Sequence, residues 1–271
     1  MTKFEISSIF SLAGKVALVT GAAAGLGRAI SIGLAQFGAN IVAADIDDEG
    51  LAQTVEQVRS LGVKSVGLHC DTSKPDEIKN MFIQLDKQFG QIDILVNNVG
   101  LIARAHPEDL TLEDWERVLK VNLTGSFLCA QEAGRRMIAR KQGGSIINIS
   151  SIAGVSALGR GNFVYSTTKG AINQLTRELA IEWANHNIRV NAILPAQMHT
   201  AWVERLTKGA DAETLMNKIL GGIPLNRLGE PEDIVGPVVF LASKAGAFVT
   251  GILLPVDGGN LALNAGGSLN A

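Results

Sequence analysis

The chain has 271 residues, of which 46% are hydrophobic and 18% are charged, and its formal net charge is −2. This composition excludes a disordered chain, which has too few apolar residues to form a core. It also excludes the concentrated positive charge that binds a phosphate backbone, so we expect no nucleic-acid partner. The length suits one large α/β domain, and we interpret residues 1–271 as a single unit.

The cysteines and histidines indicate neither a metal site nor a disulfide framework. Cys70 and Cys129 form no CxxC pair, and the four histidines show neither HExxH nor HxxxH spacing. Residues 1–12 lack the basic end and apolar run of a signal peptide, and no apolar run approaches the roughly 20 residues that span a bilayer. We therefore expect reduced thiols, no membrane partner and a cytoplasmic location.

Short β-branched runs alternate along the chain with longer segments of helical period. The predicted strands are Lys15–Thr20, Asn40–Asp45, Lys64–His69, Ile92–Asn97, Ser145–Ser150, Ile188–Leu194 and Ile252–Val256. The predicted helices are Leu26–Phe37, Glu49–Leu61, Pro75–Phe89, Leu112–Arg140, Phe163–Asn185 and Pro231–Ala242. The strands are nearly continuous apolar runs, as expected for strands that are covered on both faces.

This alternation predicts right-handed crossovers and a doubly wound parallel sheet. We expect an α/β, Rossmann-like fold of about seven strands with helices on both faces. Ligands of such sheets bind beyond the carboxyl ends of the strands, so the residues after each strand are the candidate site. Residues 195–222 are a candidate substrate lid, and the Gly/Asn-rich residues 264–271 are expected to form a flexible tail.

A glycine-rich turn follows the first predicted strand, with Gly21, Gly25 and Gly27 in GxxxGxG spacing. Glycine lets the backbone approach a pyrophosphate at the positive end of the next helix, although a purely structural turn also needs glycine. Asp45 ends the next strand 18 residues after Gly27, where an acid accepts hydrogen bonds from the adenosine ribose. Because Asp45 repels a 2′-phosphate and Ala22–Ala24 carry no Lys or Arg, we predict NAD rather than NADP.

The only tyrosine in the chain, Tyr165, lies four residues before Lys169. On a helix these positions share a face, and a nearby ammonium lowers the pKa of a phenol and makes it a better base. An ordinary surface Tyr/Lys pair is the alternative interpretation. Ser151, at the end of the preceding predicted strand, can reach the same place, and Asn122 lies unusually inside a helical segment.

Together these motifs resemble the short-chain dehydrogenase/reductase family from about Phe10 to Ala262. Thr20–Gly27 resembles the family's TGxxxGxG cofactor loop, and Asn97–Gly100 is similar to its NNAG turn. Asn191–Thr200 is similar to the segment that approaches the nicotinamide, and Val256–Gly259 resembles the closing DGG motif. The resemblance implies hydride transfer between a nicotinamide and a substrate, which is either a secondary alcohol or its ketone, or a sugar hemiacetal or its lactone.

The resemblance also implies roles for a catalytic tetrad. Tyr165 takes the hydroxyl proton, while Lys169 stabilises the tyrosinate and holds the nicotinamide ribose. Ser151 positions the substrate oxygen, and Asn122 holds a water that links Lys169 to solvent. The implied NAD-binding residues are Gly21, Ala24, Gly25, Leu26, Gly27, Asp45, Asp71, Thr72, Asn98, Gly100, Tyr165, Lys169, Pro195 and Thr200. Family members also suggest a homotetramer packed through Leu112–Arg140 and Phe163–Asn185, with a dimer as the alternative.

The segments that bind substrate in this family carry many polar residues here. We expect a small, highly hydroxylated substrate, neutral or anionic, and a cavity with little apolar wall. The candidate substrate residues are Arg104, His106, Arg160, Asn162, His199 and Trp202. The chain is most similar to members that act on sugars, sugar acids and polyols, such as gluconate and deoxygluconate dehydrogenases. A 3-oxoacyl carrier-protein reductase and a non-catalytic, cofactor-sensing member remain the alternatives.

Overall fold

The computed structural model describes residues 6–200 and 212–263. Within them, one parallel sheet has the strand order β3-β2-β1-β4-β5-β6-β7, which confirms the predicted fold class. The strands are β1 (Val16–Thr20), β2 (Asn40–Asp45), β3 (Ser65–His69), β4 (Ile94–Asn97), β5 (Gly144–Ile149), β6 (Ile188–Pro195) and β7 (Leu253–Val256). The predicted tail, residues 264–271, and the middle of the predicted lid, residues 201–211, lie outside the described residues.

Helices cover both faces of the sheet. They are α1 (Gly25–Gln36), α2 (Asp48–Ser60), α3 (Pro75–Phe89), α4 (Leu112–Leu119), α5 (Gly125–Arg140), α6 (Phe163–Glu182), α7 (Ala212–Leu220) and α8 (Val235–Ala242). The single helix predicted over Leu112–Arg140 is divided by a π turn at Lys120–Thr124, and α7 was not predicted. None of the helices in the described ranges is long and apolar enough to cross a membrane.

Alternate strand residues feed two separate hydrophobic cores. Ala17 and Val19 of β1 pack in the core that α1 and α8 cover, whereas Val16 and Leu18 pack in the core beneath α3 and α5. All five residues of β1 are buried, as the continuous apolar run predicted. Both faces of the central strands are therefore dry, and their polar backbone groups pair only along the sheet.

The two edge strands differ from this expectation. In β3 the exposed residues Gly67 and His69 alternate with more buried ones, and no residue of β7 is fully buried. An edge strand has a neighbour on one side only, and the helices at the margins of the sheet cover it incompletely.

The sheet places its binding crevice beside β1. This strand pairs with β2 on one side and with β4 on the other, so successive crossovers run in opposite directions from it. Such a switch point opens a crevice at the carboxyl ends of the strands. The residues after β1, β2 and β4 therefore border one site.

Candidate active site

The loop after β1 has the backbone geometry of a phosphate cradle. Gly21 and Gly25 adopt positive φ angles of 67° and 52°. A Cβ atom on Gly27 would lie 1.9 Å from the carbonyl oxygen of Gly21, so only glycine fits there. Ala24 precedes α1 in an extended conformation and offers no side-chain cap. The first amides of α1 therefore remain available to an anion, and the loop fits the pyrophosphate of a dinucleotide.

Asn98, which follows β4, fixes this loop from the side. Its amide nitrogen Nδ2 donates to the carbonyl oxygens of Thr20 (3.1 Å) and Gly21 (3.0 Å). Its backbone nitrogen donates to the Thr20 hydroxyl over 3.1 Å. The predicted cofactor residue Asn98 thus supports the turn after β1 as well as bordering the crevice.

The carboxylate of Asp45 is oriented by three backbone amides. Its Oδ2 atom accepts from the amide of Ala23 over 2.9 Å. Its Oδ1 atom accepts from the amides of Ile46 (2.7 Å) and Asp47 (3.1 Å). Lone pairs remain on both oxygens, so the fixed carboxylate can still accept from ribose hydroxyls.

Asp71 and Thr72 follow β3, on the far side of β2. Burial raises the pKa of Asp71, but hydrogen bonds from Ser73 outweigh this effect and the pKa lies below its ordinary value. Thr72 is buried, and its carbonyl oxygen would lie 2.5 Å from a Cβ atom on Gly125. The Asp71 carboxylate accepts from the Ser73 amide over 2.9 Å within the same loop, and the predicted cofactor contacts of Asp71 and Thr72 stay predictions.

Tyr165, Lys169 and Ser151 line one cavity of about 480 Å³ beside the glycine loop. The Lys169 nitrogen Nζ lies 5.5 Å from the centre of the Tyr165 ring and donates to the Ile149 carbonyl oxygen over 2.7 Å. Burial lowers the pKa of Lys169 to about 8. Burial also raises the pKa of Tyr165, and a hydrogen bond with Ser151 opposes part of that rise. The phenol is thus hydrogen-bonded to the Ser151 hydroxyl, and the Lys169 ammonium lies near the face of its ring.

Ser151 lies just beyond its predicted position at a strand end, because β5 ends at Ile149. It instead caps a 3-10 turn at Ile152–Gly154, and its Oγ atom accepts from the Ala153 amide over 3.1 Å. The neighbouring Ser150 donates its hydroxyl to the Lys169 carbonyl oxygen over 3.2 Å and so ties α6 to the sheet. Ser151 is therefore the serine that meets the phenol.

Asn122 lies in the π turn and is fully buried. Its Oδ1 atom accepts from the Leu101 amide over 2.7 Å, and its Nδ2 atom donates to the Leu101 carbonyl oxygen over 2.9 Å. Nδ2 also donates to the Thr168 hydroxyl over 3.0 Å. The side chain thus joins the loop after β4 to the helix that carries Tyr165, and its predicted water-holding role stays a prediction.

The structure separates the predicted substrate residues into two groups. Arg104, Arg160 and Asn162 line the cavity. His106 is exposed and does not line it, and the His199 ring faces Glu230 at 3.2 Å. Trp202 lies outside the described residues.

The cavity has more apolar wall than the sequence suggested. Gln197, which the sequence analysis passed over within Asn191–Thr200, is a further polar lining residue. The apolar lining residues are Leu26, Leu101, Ile102, Ile149, Ile152, Leu158, Pro195, Ala196 and Met198. The polar residues of these loops alternate with apolar ones, and the fold turns those apolar side chains into the cavity as well. The predicted residues Leu26, Gly100, Pro195 and Thr200 do border the cavity.

Comparison with known proteins agrees with this geometry over nearly the whole chain. Residues 21–260 match a family model described as enoyl-(acyl carrier protein) reductase. The chain is 43% identical to 2-dehydro-3-deoxy-D-gluconate 5-dehydrogenase of Escherichia coli (strain K12), with 95% of this chain and 99% of that protein covered. The similarity therefore extends over nearly the full length of both proteins.

Two solved structures share the fold closely. A gluconate 5-dehydrogenase from Burkholderia cenocepacia J2315, in complex with NADP and tartrate, superposes with a TM-score of 0.89 at 33% identity, covering 96% of this chain and 100% of that one. An NAD⁺-bound xylitol dehydrogenase superposes with a TM-score of 0.85 at 35% identity, covering 90% and 98%. On these matches, the chain belongs to the short-chain dehydrogenase/reductase family.

Proposed function

We propose that this chain is an NAD-dependent oxidoreductase that interconverts a secondary alcohol and a ketone on a small sugar acid. The observation that carries the proposal is the meeting of Tyr165, Lys169 and Ser151 in one cavity beside the glycine loop. A non-catalytic, cofactor-sensing protein would have no need for this arrangement. The proposal thus combines a binding loop for a dinucleotide with groups that can move a proton.

A bound nicotinamide ring supplies the hydride acceptor or donor. In the oxidative direction, Ser151 donates a hydrogen bond that holds the substrate oxygen, and the Tyr165 phenolate takes the hydroxyl proton as the carbonyl forms. The ammonium of Lys169 stabilises that phenolate, which burial alone disfavours. In reduction the same phenol donates its proton to the carbonyl oxygen, and in either direction Tyr165 exchanges one proton with solvent before the next turnover.

The preference for NAD rests on the turn after β2. Asp45 ends the strand, and the exposed Asp47 and Asp48 follow it, so the turn carries three acidic residues, whose negative charge disfavours a 2′-phosphate on the ribose. The guanidinium of Arg28, which lies nearest in sequence to the loop, is bound to the carbonyl oxygens of Ala23 and Gly50. The related gluconate 5-dehydrogenase is complexed with NADP and the xylitol dehydrogenase with NAD⁺, so the relatives do not favour either cofactor. The proposed preference for NAD therefore rests on this chain's own residues.

The proposed substrate is a polyhydroxylated carboxylate. Arg104 and Arg160 are exposed cations at the cavity, and Asn162 adds a buried amide there. A guanidinium can bind a carboxylate through two parallel N–H donors. The names of the relatives and the tartrate in one related structure agree with a sugar acid. The apolar walls then face the carbon skeleton.

A 3-oxoacyl carrier-protein reductase is the second candidate function. The description of the matching family model and a 37% identical relative, 3-oxoacyl-[acyl-carrier-protein] reductase of Thermotoga maritima, favour it. Such an enzyme needs a basic surface for its acidic carrier, whereas this chain has a net charge of −2. The sugar-acid reaction is therefore the better proposal.

We also propose a homotetramer that packs through α5 and α6. Phe127 of α5 and Ile181 of α6 are exposed at 37% and 76% of their surface, and Val155, which lies between these two helices in the chain, is exposed at 50%. Large apolar side chains on the outer faces of two helices are typical of a subunit interface. Light scattering measures the mass in solution: a monomer contradicts any such interface, and a dimer contradicts the tetramer.

A substrate screen tests the proposed function. The purified protein is mixed with aldonates, aldoses, polyols and an acetoacetyl thioester, each with NAD or NADP in the appropriate redox state, and the absorbance of the reduced cofactor is followed. We expect the highest kcat/KM with an aldonate or keto-aldonate and NAD(H). Preferential reduction of the thioester would favour the second candidate function, and no turnover with any of these compounds would contradict the sugar-acid proposal.

A further inference from the structure

The carbonyl groups of the glycine loop are bound from behind by side chains of α1 and α2. The Thr54 hydroxyl donates to the Ala22 carbonyl oxygen over 2.8 Å. The Arg28 nitrogen Nη2 donates to the Ala23 carbonyl oxygen. Thr54 is fully buried, so its bond is shielded from water. Two consecutive loop carbonyls therefore have fixed partners on the side away from the crevice.

Arg28 and Thr54 form one hydrogen-bonded network. The Arg28 nitrogen Nε donates to the Thr54 hydroxyl over 3.0 Å, so that hydroxyl directs its single proton toward a carbonyl. Two carbonyl oxygens lie within reach, that of Ala22 at 2.8 Å and that of Gly50 at 3.1 Å, and the nearer is that of Ala22. Arg28 is held in turn by the Gly50 carbonyl oxygen and the Gln53 side chain, both at 3.1 Å. The guanidinium is thus locked between the glycine loop and the first turns of α2.

The start of α2 packs directly on the loop. A Cβ atom on Gly50 would lie 2.8 Å from the Ala23 carbonyl oxygen and 3.0 Å from the Ala23 methyl group. No larger residue fits at Gly50 without moving the loop. This contact keeps the Gly50 carbonyl oxygen and the Gln53 side chain, which accept from Arg28, close to the glycine loop.

These contacts fix the direction of the loop amides. In the peptide unit between Ala22 and Ala23, Thr54 binds the carbonyl and the Asp45 carboxylate binds the amide, at 2.8 and 2.9 Å. The next peptide unit has its carbonyl bound by Arg28. Because the carbonyl and amide of a trans peptide point in opposite directions, the Ala24 amide points away from Arg28, toward the open side of the loop.

We propose that Arg28 and Thr54 are positioning residues that set the affinity for the cofactor by holding the Ala24 amide toward the pyrophosphate. Without them, rotation of the Ala23–Ala24 peptide would present a carbonyl to the phosphates, which repels them. Fixing the loop before binding lowers the entropy that binding removes. This inference rests on the proposed nicotinamide cofactor, and it assigns neither residue a contact with that cofactor.

The first test removes the Thr54 hydroxyl while keeping its shape. Thr54→Val deletes the donor to Ala22, and Arg28→Met deletes the donor to Ala23. We expect each variant to raise the Kd for NADH about tenfold, the value of one lost hydrogen bond. With saturating cofactor, kcat should change by less than about twofold, because no group at the reacting atoms is altered. Thr54→Ser, which keeps the hydroxyl, should restore the wild-type Kd.

Arg59 of α2 offers a matched control. Its Nε and Nη2 atoms donate to the Ser65 carbonyl oxygen at 3.0 and 2.8 Å, so it also ties α2 to a backbone carbonyl, but at β3. Arg59→Met should lower the thermal stability to an extent comparable to Arg28→Met without changing the Kd for NADH. If Arg59→Met raised the Kd for NADH as much as Arg28→Met does, the effect would come from a general loosening of α2, and the inference would be overturned.

Two readouts separate this inference from the proposed function. The Kd comes from NADH fluorescence, and amide hydrogen exchange in the cofactor-free protein reports the order of the loop. We expect the Ala23 amide to exchange faster in Thr54→Val and Arg28→Met than in the wild type, because its hydrogen bond to the Asp45 carboxylate loosens in both variants. If the wild type binds NADH and both variants bind it equally well, only the inference fails. If the wild type binds no NADH, the proposed function and the inference fail together.

Discussion

The buried ammonium of Lys169 gives the unfolding free energy a pH dependence that can be measured without cofactor or substrate. Burial lowers its pKa from 10.5 to about 8, so between these values the unfolded chain binds more protons than the folded chain. The unfolding free energy therefore rises with pH across this window. Integrating the two titrations gives a rise of about 2 kcal/mol between about pH 7 and about pH 9.5.

Lys169→Met keeps an unbranched side chain, shorter by the nitrogen atom, and removes the titrating group. We expect the unfolding free energy of the wild type, minus that of the variant, to increase by about 2 kcal/mol over the same interval. Urea denaturation at several pH values, with one protein concentration throughout, measures this difference. The subtraction cancels groups that both proteins share, including Cys70 and Cys129, whose pKa values are raised by burial.

Tyr165→Phe serves as the control, because it keeps Lys169 and should keep the rise with pH. A difference between wild type and Lys169→Met that stays flat across the interval would refute the reasoning. It would mean that the ammonium is as well solvated in the folded chain as in the unfolded one, and that its bond to the Ile149 carbonyl oxygen compensates fully for burial.

Further substitutions test the site at its other positions. Tyr165→Phe should lower kcat by about 10²–10⁴, the usual contribution of a general acid–base group, while the Kd for NADH stays near the wild-type value; retained turnover would exclude the phenol as the base. Asp45→Ala should reduce the ratio of kcat/KM with NAD to that with NADP by about tenfold, through loss of a charged hydrogen bond and of repulsion; an unchanged ratio would place selectivity elsewhere. At least one of Arg104→Ala and Arg160→Ala should raise KM for an aldonate about tenfold without changing cofactor KM, and if neither does, a neutral polyol becomes the better substrate.

The fold could be predicted because its signals are local and repeated. Each buried strand is a short apolar run, and each crossover supplies a helix of ordinary length, so the doubly wound order follows from few rules. The loop at Gly21–Gly27 could also be predicted from a local signal, because the backbone of Gly21 lies so close to Gly27 that only glycine fits there. The bounds near Lys120–Thr124 could not be found, because the polar and apolar residues there continue the helical pattern across the π turn.

The substrate side of the cavity was the harder part. His106 and Arg104 are two residues apart in one loop, yet only Arg104 lines the cavity, and a loop without a repeating period gives no sign of which side chain turns inward. His199 is likewise drawn to Glu230, a partner 31 residues away that the sequence does not connect to it. Distances between loops depend on tertiary packing, which motif spacing does not encode.

The π turn between α4 and α5 has a consequence for how the chain can change in length. In it the Gly125 amide bonds to the Lys120 carbonyl oxygen, one residue farther back than in an α-helix. That extra residue sets the angular phase of everything after it, because each residue turns a helix by about 100°. Deleting one residue would leave either Asn122 facing away from Leu101 or Cys129 and Met137 facing away from the core. We therefore expect a substitution of an exposed side chain in this segment to be less damaging than the insertion or deletion of one residue, because only a change in length rotates one end of the helix against the other.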